Sequence, residues 1–598
     1  MSIRMLSFVL RKKYKCYSKA CEVLFCIVKL RYIQKGVASM AFKPLPIGIE
    51  DFREVIEQDY YYVDKTLFIK ELLDMRGKVN LFTRPRRFGK TLNISMLRYF
   101  FDINQTGQKE LFSDTDISKA GDKYLKHMGK YPVIMLSLKS MKQMDFSMAY
   151  AQLKRELGTE YHRYWEQVLA CEKITQKEKE RYEAIMNLEG QDADYYVALR
   201  FLSDCLMRCY NQKTVILIDE YDVPLENAHF QGFYDEMSAL IRSLFESALK
   251  TNENLEFAVI TGCLRISKES IFTGLNNLGI ISILSAAYDE YFGFTQEEVD
   301  RMLEFYGITR NRENIKKWYD GYLFGQVEVY NPWSVVNYVE ACNHNPEALP
   351  LPYWSNTSSN SIVRSLVERA DSGVRQEIEA LIEGKTILKP IHEDITYEDI
   401  DSSQDNLWNF LFFTGYLKKI CEKQEEEIRY IEMAIPNSEV RYIYKTTVLR
   451  WFEEKIEKKD LSLLYKSVLE GNEEETEKIL SDNLMETISF YDYQESFYHG
   501  FLVGMFKNIE NYIVLSNRES GNGRPDILLK YPSVRGKAII IELKVAKTFR
   551  SMQEKCEEAL KQIEKQRYEE ALREEGYSDI IKYGIAFYRK ECMVRKGC

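Results

Sequence analysis

Gly89, Lys90 and Thr91 stand next to one another in the chain, after an apolar stretch at Val79–Thr83. This order is typical of a phosphate-binding loop, in which backbone N–H groups surround the phosphates, the lysine reaches the terminal phosphates and the threonine hydroxyl contacts Mg²⁺. Such a loop usually begins with an earlier glycine, and Arg84 stands in that position here. The sequence therefore predicts a site for ATP and Mg²⁺, with a basic turn before a helix as the alternative.

We expect five loop residues to bind the nucleotide, because the N-terminus of a helix attracts anions through its free N–H groups and its dipole. These residues are Arg84, Arg87, Gly89, Lys90 and Thr91. The helix-like run Leu92–Phe101 follows them directly. The strand before the loop and the helix after it would together hold the loop in place.

A second apolar run, Thr214–Ile218, ends in the carboxylates Asp219 and Glu220. A strand that is buried on both faces consists mainly of Val, Ile and Leu, as this run does. At its tip, Asp219 is predicted to bind Mg²⁺ and Glu220 to polarise the water that attacks the terminal phosphate. The alternative is a buried strand with an acidic turn, and the loop at Gly89–Thr91 favours the catalytic interpretation.

A third apolar run leads from Leu255 to Thr261, and Arg265 follows it. A polar side chain at the tip of such a strand can sense the terminal phosphate of a nucleotide. Thr261 and Arg265 are therefore candidates for nucleotide contacts. A strand cap and a solvated turn are an equally good interpretation of these two residues.

The last hundred residues contain a second group of charged residues with the spacing of a metal site. Asp526 begins one predicted strand, and Glu542 and Lys544 lie on one face of the next. Two carboxylates can bind Mg²⁺, which polarises a phosphodiester and lowers the pKa of a bound water, while a lysine steers that water or stabilises the transition state. We expect Asp526 and Glu542 to be metal ligands, and Glu542 and Lys544 to be catalytic. A strand edge with alternating charges is the alternative.

The predicted secondary structure must bring these residues together. Residues 42 to about 290 alternate between strand-like and helix-like segments, which implies a mostly parallel sheet wrapped by helices, with its ligand at the carboxyl ends of the strands. From Thr295 onward the pattern is helical, and residues 375–485 continue mainly helical. An aromatic cluster is predicted to form the core of a helical lid: Trp318, Tyr319, Tyr322, Tyr330 and Trp333.

The C-terminal segment has its own order of predicted elements. The order is a helix at 489–508, strands at 511–517, 525–530 and 537–545, a helix at 549–572 and a strand at 579–588. This order would place the two predicted strands that bear Asp526 and Glu542 in one sheet.

Several motifs, taken in order, resemble those of one family. They are Arg84–Leu92, Leu217–Asp222, Thr261–Ser270, Trp318–Tyr322 and Tyr330–Trp333. They look like the bacterial AAA-ATPase-like family, whose members commonly end in a nuclease domain of the PD-(D/E)XK type. The resemblance spans roughly residues 42 to 590 and implies an α/β fold: a P-loop NTPase parallel sheet with a helical lid, a helical middle region and a C-terminal PD-(D/E)XK-type α/β domain.

The resemblance also implies two further residues at the C-terminal site. The nuclease pattern often adds an acidic residue on the helix before the strands and a glutamine on the helix after them. Glu495 and Gln562 occupy these places in this sequence. Glu495 is therefore expected to be a third metal ligand.

A chain of 598 residues is too long for one core, since single cores stop growing near about 250 to 300 residues. We predict a basic N-terminal extension at 1–40, a P-loop AAA-ATPase-like domain at 41–290, a helical lid and connecting region at 291–485 and a nuclease-like domain at 486–598. The extension has nine Lys and Arg residues against one acidic residue. An overlong translation start would explain it, because the family resemblance begins near Met40.

Cysteine spacing and hydropathy indicate the compartment. The twelve cysteines are scattered without a CxxC pair, so neither a zinc site nor a disulfide framework is indicated. No apolar stretch approaches the length of a membrane span. We therefore expect a cytoplasmic protein that does not enter the membrane.

Two functions from different classes are compatible with these motifs. The first is an ATPase coupled to a metal-dependent nuclease-like domain that acts on DNA or RNA. The second is a nucleotide-switched regulatory or scaffold protein whose nuclease-like domain does not cleave. The chain has a net charge of −9, and nucleic-acid binding needs local basic charge, for which Arg518, Arg524, Lys547 and Arg550 are candidates. A homo-oligomer is compatible with either function.

Overall fold

The computed structural model describes residues 42–250, 252–265, 271–272, 275–356, 372–393, 404–446, 460–487, 495–516 and 525–597. The predicted extension at 1–40 and the arginines Arg518 and Arg524 lie outside the described residues. Within the described ranges, no helix combines the length and the apolar character needed to cross a membrane.

The N-terminal part contains the predicted parallel sheet. Its strands are β1 (Val79–Thr83), β2 (Val133–Ser137), β3 (Thr214–Asp219), β4 (Leu255–Gly262) and β5 (Leu278–Ile281), in the spatial order β2-β3-β4-β1-β5. All neighbouring pairs are parallel. Every residue of β1 and β3 is buried, as expected for strands covered on both faces. The α/β fold is thus confirmed, and β5 is an additional strand that the sequence analysis did not identify.

Helices cover both faces of this sheet. They are Phe52–Glu57, Leu67–Met75, Lys90–Phe101, Gln108–Leu111, Asp122–Leu125, Phe146–His162, Trp165–Ala170, Gln176–Met186, Asp192–Tyr196, Ala198–Tyr210, Val223–Gln231 and Tyr234–Phe245. Local signals fix several of their starts. For example, the Asp51 carboxylate accepts from the N–H of Glu54, which satisfies a free donor of the first turn.

The middle region is helical only in part, contrary to the prediction. Its helices are Gln296–Tyr306, Arg312–Tyr319, Pro332–His344, Ser372–Ile382 and Gln404–Phe413. Between them lie two small sheets, formed by β6 (Phe294–Thr295), β7 (Tyr322–Phe324) and β8 (Val327–Tyr330), and by β9 (Ile387–Pro390), β10 (Lys418–Glu425) and β11 (Ile428–Ala434). The hairpin between β10 and β11 turns at Glu426, which has a φ of 55°. The sequence analysis did not predict these strands, because the run around the turn is charged and contains no typical turn residue such as Gly or Asn.

The C-terminal part is a mixed five-stranded sheet. Its strands are β12 (Ile513–Ser516), β13 (Ile527–Lys530), β14 (Lys537–Val545), β15 (Asp579–Tyr588) and β16 (Glu591–Lys596), in that spatial order. β14 and β15 run parallel, and the other pairs are antiparallel. The sequence analysis did not identify β16. The single predicted helix at 549–572 is two helices, Met552–Lys565 and Tyr568–Glu574, because Arg567 adopts a φ of 57° between them.

The core of this C-terminal part begins earlier than the predicted boundary at residue 486. Helices Ser462–Glu470 and Glu473–Thr487 place Leu464, Val468 and Leu480 in one buried cluster with residues of β14, β15 and β16. Helix Glu495–Phe506 packs into the same cluster. The described residues between 461 and 484 therefore contribute to the core of the C-terminal sheet.

Candidate functional site

The loop after β1 turns sharply and starts a helix. Gly89, with a φ of 83°, precedes the helix Lys90–Phe101, and a left-handed backbone of this kind favours glycine. The Lys90 ammonium is buried and donates to the carbonyl oxygens of Arg84 and Pro85, both at 2.9 Å. The lysine thus folds back across the loop, as a phosphate-binding lysine must in order to reach the loop's interior.

Three polar residues meet at the carboxyl ends of the central strands. The Asp219 carboxylate at the tip of β3 is fully buried. Thr91 donates its hydroxyl to Asp219 Oδ2 at 2.7 Å, and Thr261, from β4, donates its hydroxyl to Asp219 Oδ1. The order of the strands explains this contact, because β4 lies between β3 and β1. The structure therefore brings together three residues that are far apart in sequence.

Glu220 directly follows this cluster and faces the cleft above the loop. Its φ of 53° is unusual for a residue other than glycine, and its N–H donates to the Thr261 hydroxyl at 3.4 Å. Burial raises the pKa of the Glu220 carboxyl, while the nearby Lys90 ammonium opposes that rise. A carboxyl with a raised pKa beside a buried lysine is suited to accept a proton from water.

The loop lines a cleft of about 390 Å³ between the parallel sheet and the lid. The basic residues that line it are Lys65, Arg86, Arg87, Lys90, Lys139 and Lys142. Apolar residues line the same cleft, among them Ile49, Phe294, Met302, Trp333 and Val336. The cleft thus contains both cations that could bind phosphates and apolar surface that could contact a ring system.

The cleft contains one residue with a role other than the predicted one, Trp333, and two lysines that the sequence analysis did not predict, Lys139 and Lys142. Trp333 lines the cleft, half-buried, and the Arg87 guanidinium lies 4.4 Å from the centre of its ring, so Trp333 is not only part of the lid core. Lys139 and Lys142 follow β2 and were not identified. No local pattern signals them, because only the placement of β2 beside β3 brings this turn to the cleft.

The structure places the Arg84 side chain beneath the loop rather than in the cleft. Its guanidinium is fully buried and donates to the carbonyl oxygens of Thr83 and Ile281, at 3.0 and 2.9 Å. It also lies over the rings of Phe292 and Phe324, at 5.1 and 5.2 Å. Burial lowers the pKa of Arg84 to about 9. The expectation that this side chain binds nucleotide is therefore corrected: Arg84 anchors the loop to β5 and the lid.

Arg265 also lies away from the residues that line the cleft. Its guanidinium is 4.0 Å from the Glu393 carboxylate in the middle region. Thr261 does not itself line the cleft, but its hydroxyl donates to Asp219 and accepts from the N–H of Glu220, which does. Among the candidates of the third strand, Thr261 is thus part of the site and Arg265 is a contact to the middle region.

The second site lies on the C-terminal sheet. Ile527 pairs with Ile541, so Asp526 lies across from Glu542. Asp526 accepts from the N–H of Leu543 at 2.9 Å, and the Lys544 ammonium lies 3.5 Å from Glu542 Oε1. The structure therefore places the two predicted metal ligands and the predicted catalytic lysine side by side.

The Glu542 carboxyl is buried and only half satisfied by hydrogen bonds. Gln562, from the helix Met552–Lys565, donates to its Oε1, and its Oε2 has no hydrogen-bond partner among the described residues. Burial raises the pKa of Glu542 to about 7, Asp526 adds to this rise, and Lys544 opposes it. A buried oxygen without a partner beside a second carboxylate is a suitable ligand for a hard divalent cation.

Glu495 begins the helix Glu495–Phe506, and its side chain is outside what the structure describes. His499, one turn later, has its Nε2 2.9 Å from the carbonyl oxygen of Asp526 and 3.0 Å from the Ser516 hydroxyl. The start of this helix is thus near the carboxylate pair. In the described ranges, no group of three or more metal-ligating side chains is assembled, so Asp526 and Glu542 are the described ligand pair.

Comparisons with known proteins gave matches for both the N-terminal and the C-terminal part of the chain. Residues 46–272 match the sequence profile of a family described as "Predicted AAA-ATPase", and residues 493–597 match that of the PD-(D/E)XK nuclease superfamily. The chain is also 27% identical over 426 residues to an uncharacterized protein in the vnfD 5′ region of Azotobacter chroococcum mcd 1, covering 69% of this chain and 72% of the relative. The resemblance drawn from the motifs is confirmed: the chain combines an AAA-ATPase-like segment with a C-terminal segment of the PD-(D/E)XK nuclease superfamily.

Proposed function

We propose that the protein binds and hydrolyses ATP in the cleft above the loop, and that its C-terminal site cleaves phosphodiester bonds of DNA or RNA with a divalent metal. One observation supports this proposal above the others. Lys90 and Thr91 come from one segment and Asp219 and Glu220 from another, and the four converge at the carboxyl end of a parallel sheet, where ligands of such sheets bind.

Each residue of the nucleotide site has a role that its contacts support. Lys90 would exchange the carbonyl oxygens of Arg84 and Pro85 for phosphate oxygens. Thr91 and Asp219, which share a hydrogen bond, would be the residues that hold Mg²⁺. When bound, Mg²⁺ neutralises charge on the phosphates. Glu220 would orient the attacking water and accept its proton.

The C-terminal residues fit a divalent cation through the Oε2 of Glu542, which has no hydrogen-bond partner among the described residues. Asp526 and Glu542 would be the ligands, with Glu495 as the proposed third. Gln562 fixes the orientation of the Glu542 carboxyl, as partners of ligating groups commonly do. Lys544, beside Glu542, would stabilise the charge that develops on the phosphodiester.

A cleavage and turnover assay on the full chain tests both halves. ATP hydrolysis is measured with Mg²⁺, and single- and double-stranded DNA and RNA are incubated with Mg²⁺ or Mn²⁺, with and without ATP. We expect ATP turnover and metal-dependent cleavage, with cleavage lost in Glu542→Gln. ATP turnover with no cleavage of any nucleic acid would reject the nuclease activity and favour a nucleotide-switched scaffold protein.

A further inference from the structure

The strands of the C-terminal site end at an edge of the sheet that bears several cations. β14 and β15 are parallel and in register, with Val545 opposite Phe587, so the turns that follow them lie at the same edge. We name the exposed or half-exposed residues of these turns the basic rim: Lys547, Phe549, Arg550, Arg589 and Lys590.

The basic rim combines exposed cations with an exposed aromatic ring. Phe549 exposes 55% of its surface between the exposed cations Lys547 and Arg550. In the part of the chain that the structure describes, Lys547, Arg550 and Lys590 form no ion pair. The carboxylates adjacent in sequence are Glu554 and Glu591. Four cations are thus concentrated at this edge of a chain whose net charge is −9.

The basic rim is connected to the carboxylate pair by one strand and one helix. Lys547 lies three residues after Lys544 and two residues beyond the end of β14. On the other side, Tyr498 donates its hydroxyl to the carbonyl oxygen of Arg589 at 2.8 Å, and the next residue, His499, contacts the carbonyl oxygen of Asp526. One turn of the helix Glu495–Phe506 therefore contacts both the residue Asp526 and the turn that bears Arg589.

We propose that the basic rim binds single-stranded nucleic acid and leads it to Asp526 and Glu542. The proposal rests on the proposed function of that site and names its substrate class. The cations hold backbone phosphates, and the ring of Phe549 stacks on an unpaired base. A base presents its face to a side chain only when it is unpaired, so an exposed ring between cations favours a single strand over a duplex. A lone exposed aromatic residue is common on protein surfaces, and the flanking cations are what give this one a ligand.

Binding measurements on the full chain test the proposal. The chain carries Glu542→Gln to prevent cleavage, and the probes are a labelled 20-nucleotide dT strand, a U strand of equal length and a 20-base-pair duplex. We expect Phe549→Ala to weaken binding of the single strands by about 5- to 100-fold, because stacking contributes on this scale per base. Binding of the duplex should change less than twofold, and Phe549→Trp should retain the affinity of the parent.

A matched aromatic control lies at the other end of the same sheet. Tyr531 follows β13, is 37% exposed and lies far from the basic rim along the strands. Tyr531→Ala should leave single-strand binding unchanged. Lys547→Ala combined with Arg550→Ala should reduce the slope of log affinity against log salt by about one to two, one for each lost phosphate contact.

The possible outcomes separate this inference from the proposed function. Equal loss of affinity in Phe549→Ala and Tyr531→Ala, preference for the duplex, or no binding of any probe would overturn the inference. Single-strand binding that depends on Phe549, in a wild-type chain that cleaves nothing, would support the basic rim and reject the nuclease. Metal-dependent cleavage that is indifferent to Phe549→Ala and Lys547→Ala would support the nuclease and reject the basic rim.

Discussion

The nucleotide site and the C-terminal site each bury a carboxylate, and they compensate its charge in different ways. Asp219 accepts a hydroxyl hydrogen bond at each oxygen, from Thr91 and Thr261. Glu542 accepts from Gln562 at one oxygen only, and its other oxygen has no partner among the described residues. Burying an unsatisfied polar atom is costly, and a bound cation can relieve that cost. We therefore expect the first site to be preorganised, and we expect metal to stabilise the second if it binds there.

The largest expected effect tests whether the first site is catalytic as well as preorganised. Glu220→Gln should lower ATP turnover by about 10²- to 10⁴-fold, because an amide keeps the shape of the carboxyl and cannot accept a proton from water. Affinity for a fluorescent ATP analogue should stay within about threefold. Glu50→Gln, at an exposed carboxylate that also lines the cleft, serves as the matched control. Unchanged turnover in Glu220→Gln would remove this residue from the mechanism.

Lys90→Ala should weaken nucleotide binding by about 100-fold, since hydrogen bonds from a charged donor contribute about 1.5 to 3 kcal/mol each. Titration with the same fluorescent nucleotide measures the effect. The control is Lys142→Ala, which removes an exposed lysine from the same cleft and should have a smaller effect. If both variants bind as the parent does, the loop is a basic turn and the first half of the comparison is wrong.

Divalent metal should stabilise the C-terminal part, and Asp526→Ala should remove that gain. Binding to the folded state alone stabilises by about 2.7 kcal/mol at a metal concentration 100 times the dissociation constant. Thermal unfolding of the nucleotide-free chain with and without Mn²⁺ provides the measurement. Asp579→Ala, at an exposed carboxylate at the opposite end of β15, is the control. If Mn²⁺ stabilises Asp526→Ala as much as the parent, the stabilising metal binds at another site.

Glu439 extends the comparison to a buried carboxylate outside both sites. Its oxygens accept from the Ser334 hydroxyl at 3.0 and 2.9 Å and from the N–H of Trp354 at 2.8 Å. Burial raises the pKa of Glu439 to about 7. Between its ordinary pKa and about 7, the folded state holds a proton that the unfolded state has lost, so the free energy of unfolding falls as pH rises through this range.

Glu439→Gln should therefore stabilise the protein at pH 8 by about 1 to 3 kcal/mol and have little effect at pH 5. Denaturant unfolding at both pH values measures the difference. The exposed Glu425→Gln should change stability equally, and slightly, at both. A pH-independent effect of Glu439→Gln would show that its carboxyl stays charged in the fold.

Sequence patterns predicted the elements whose signal is local. The strands before the loop, before Asp219 and before Thr261 consist mainly of apolar residues because both faces of each strand are covered. A continuous apolar run of this kind can be recognised from the sequence alone. The alternation of Glu542 and Lys544 likewise follows from the two-residue period of a strand. For these residues the sequence was sufficient to expect that they lie together.

Other parts depend on contacts that no local pattern signals. The direction of the Arg84 side chain is set by the Ile281 carbonyl oxygen and the Phe292 ring, both about 200 residues later in the chain. Trp333 and His499 reach their sites through the packing of whole helices. The strands β9 to β11 were missed because their exposed faces carry the same charged residues that a solvated helix would have. Tertiary packing therefore decided these features.

The buried position of Arg84 has a consequence for how this loop tolerates substitution. A glycine in its place would make the motif more like the common pattern, yet it would leave the carbonyl oxygens of Thr83 and Ile281 without their shared donor and open a cavity beside Phe324. Arg84→Gly should accordingly lower the melting temperature, whereas the exposed Arg87→Gly should not. The strand β5 and the lid therefore depend on this arginine, and a substitution toward the common glycine would cost stability instead of restoring a site.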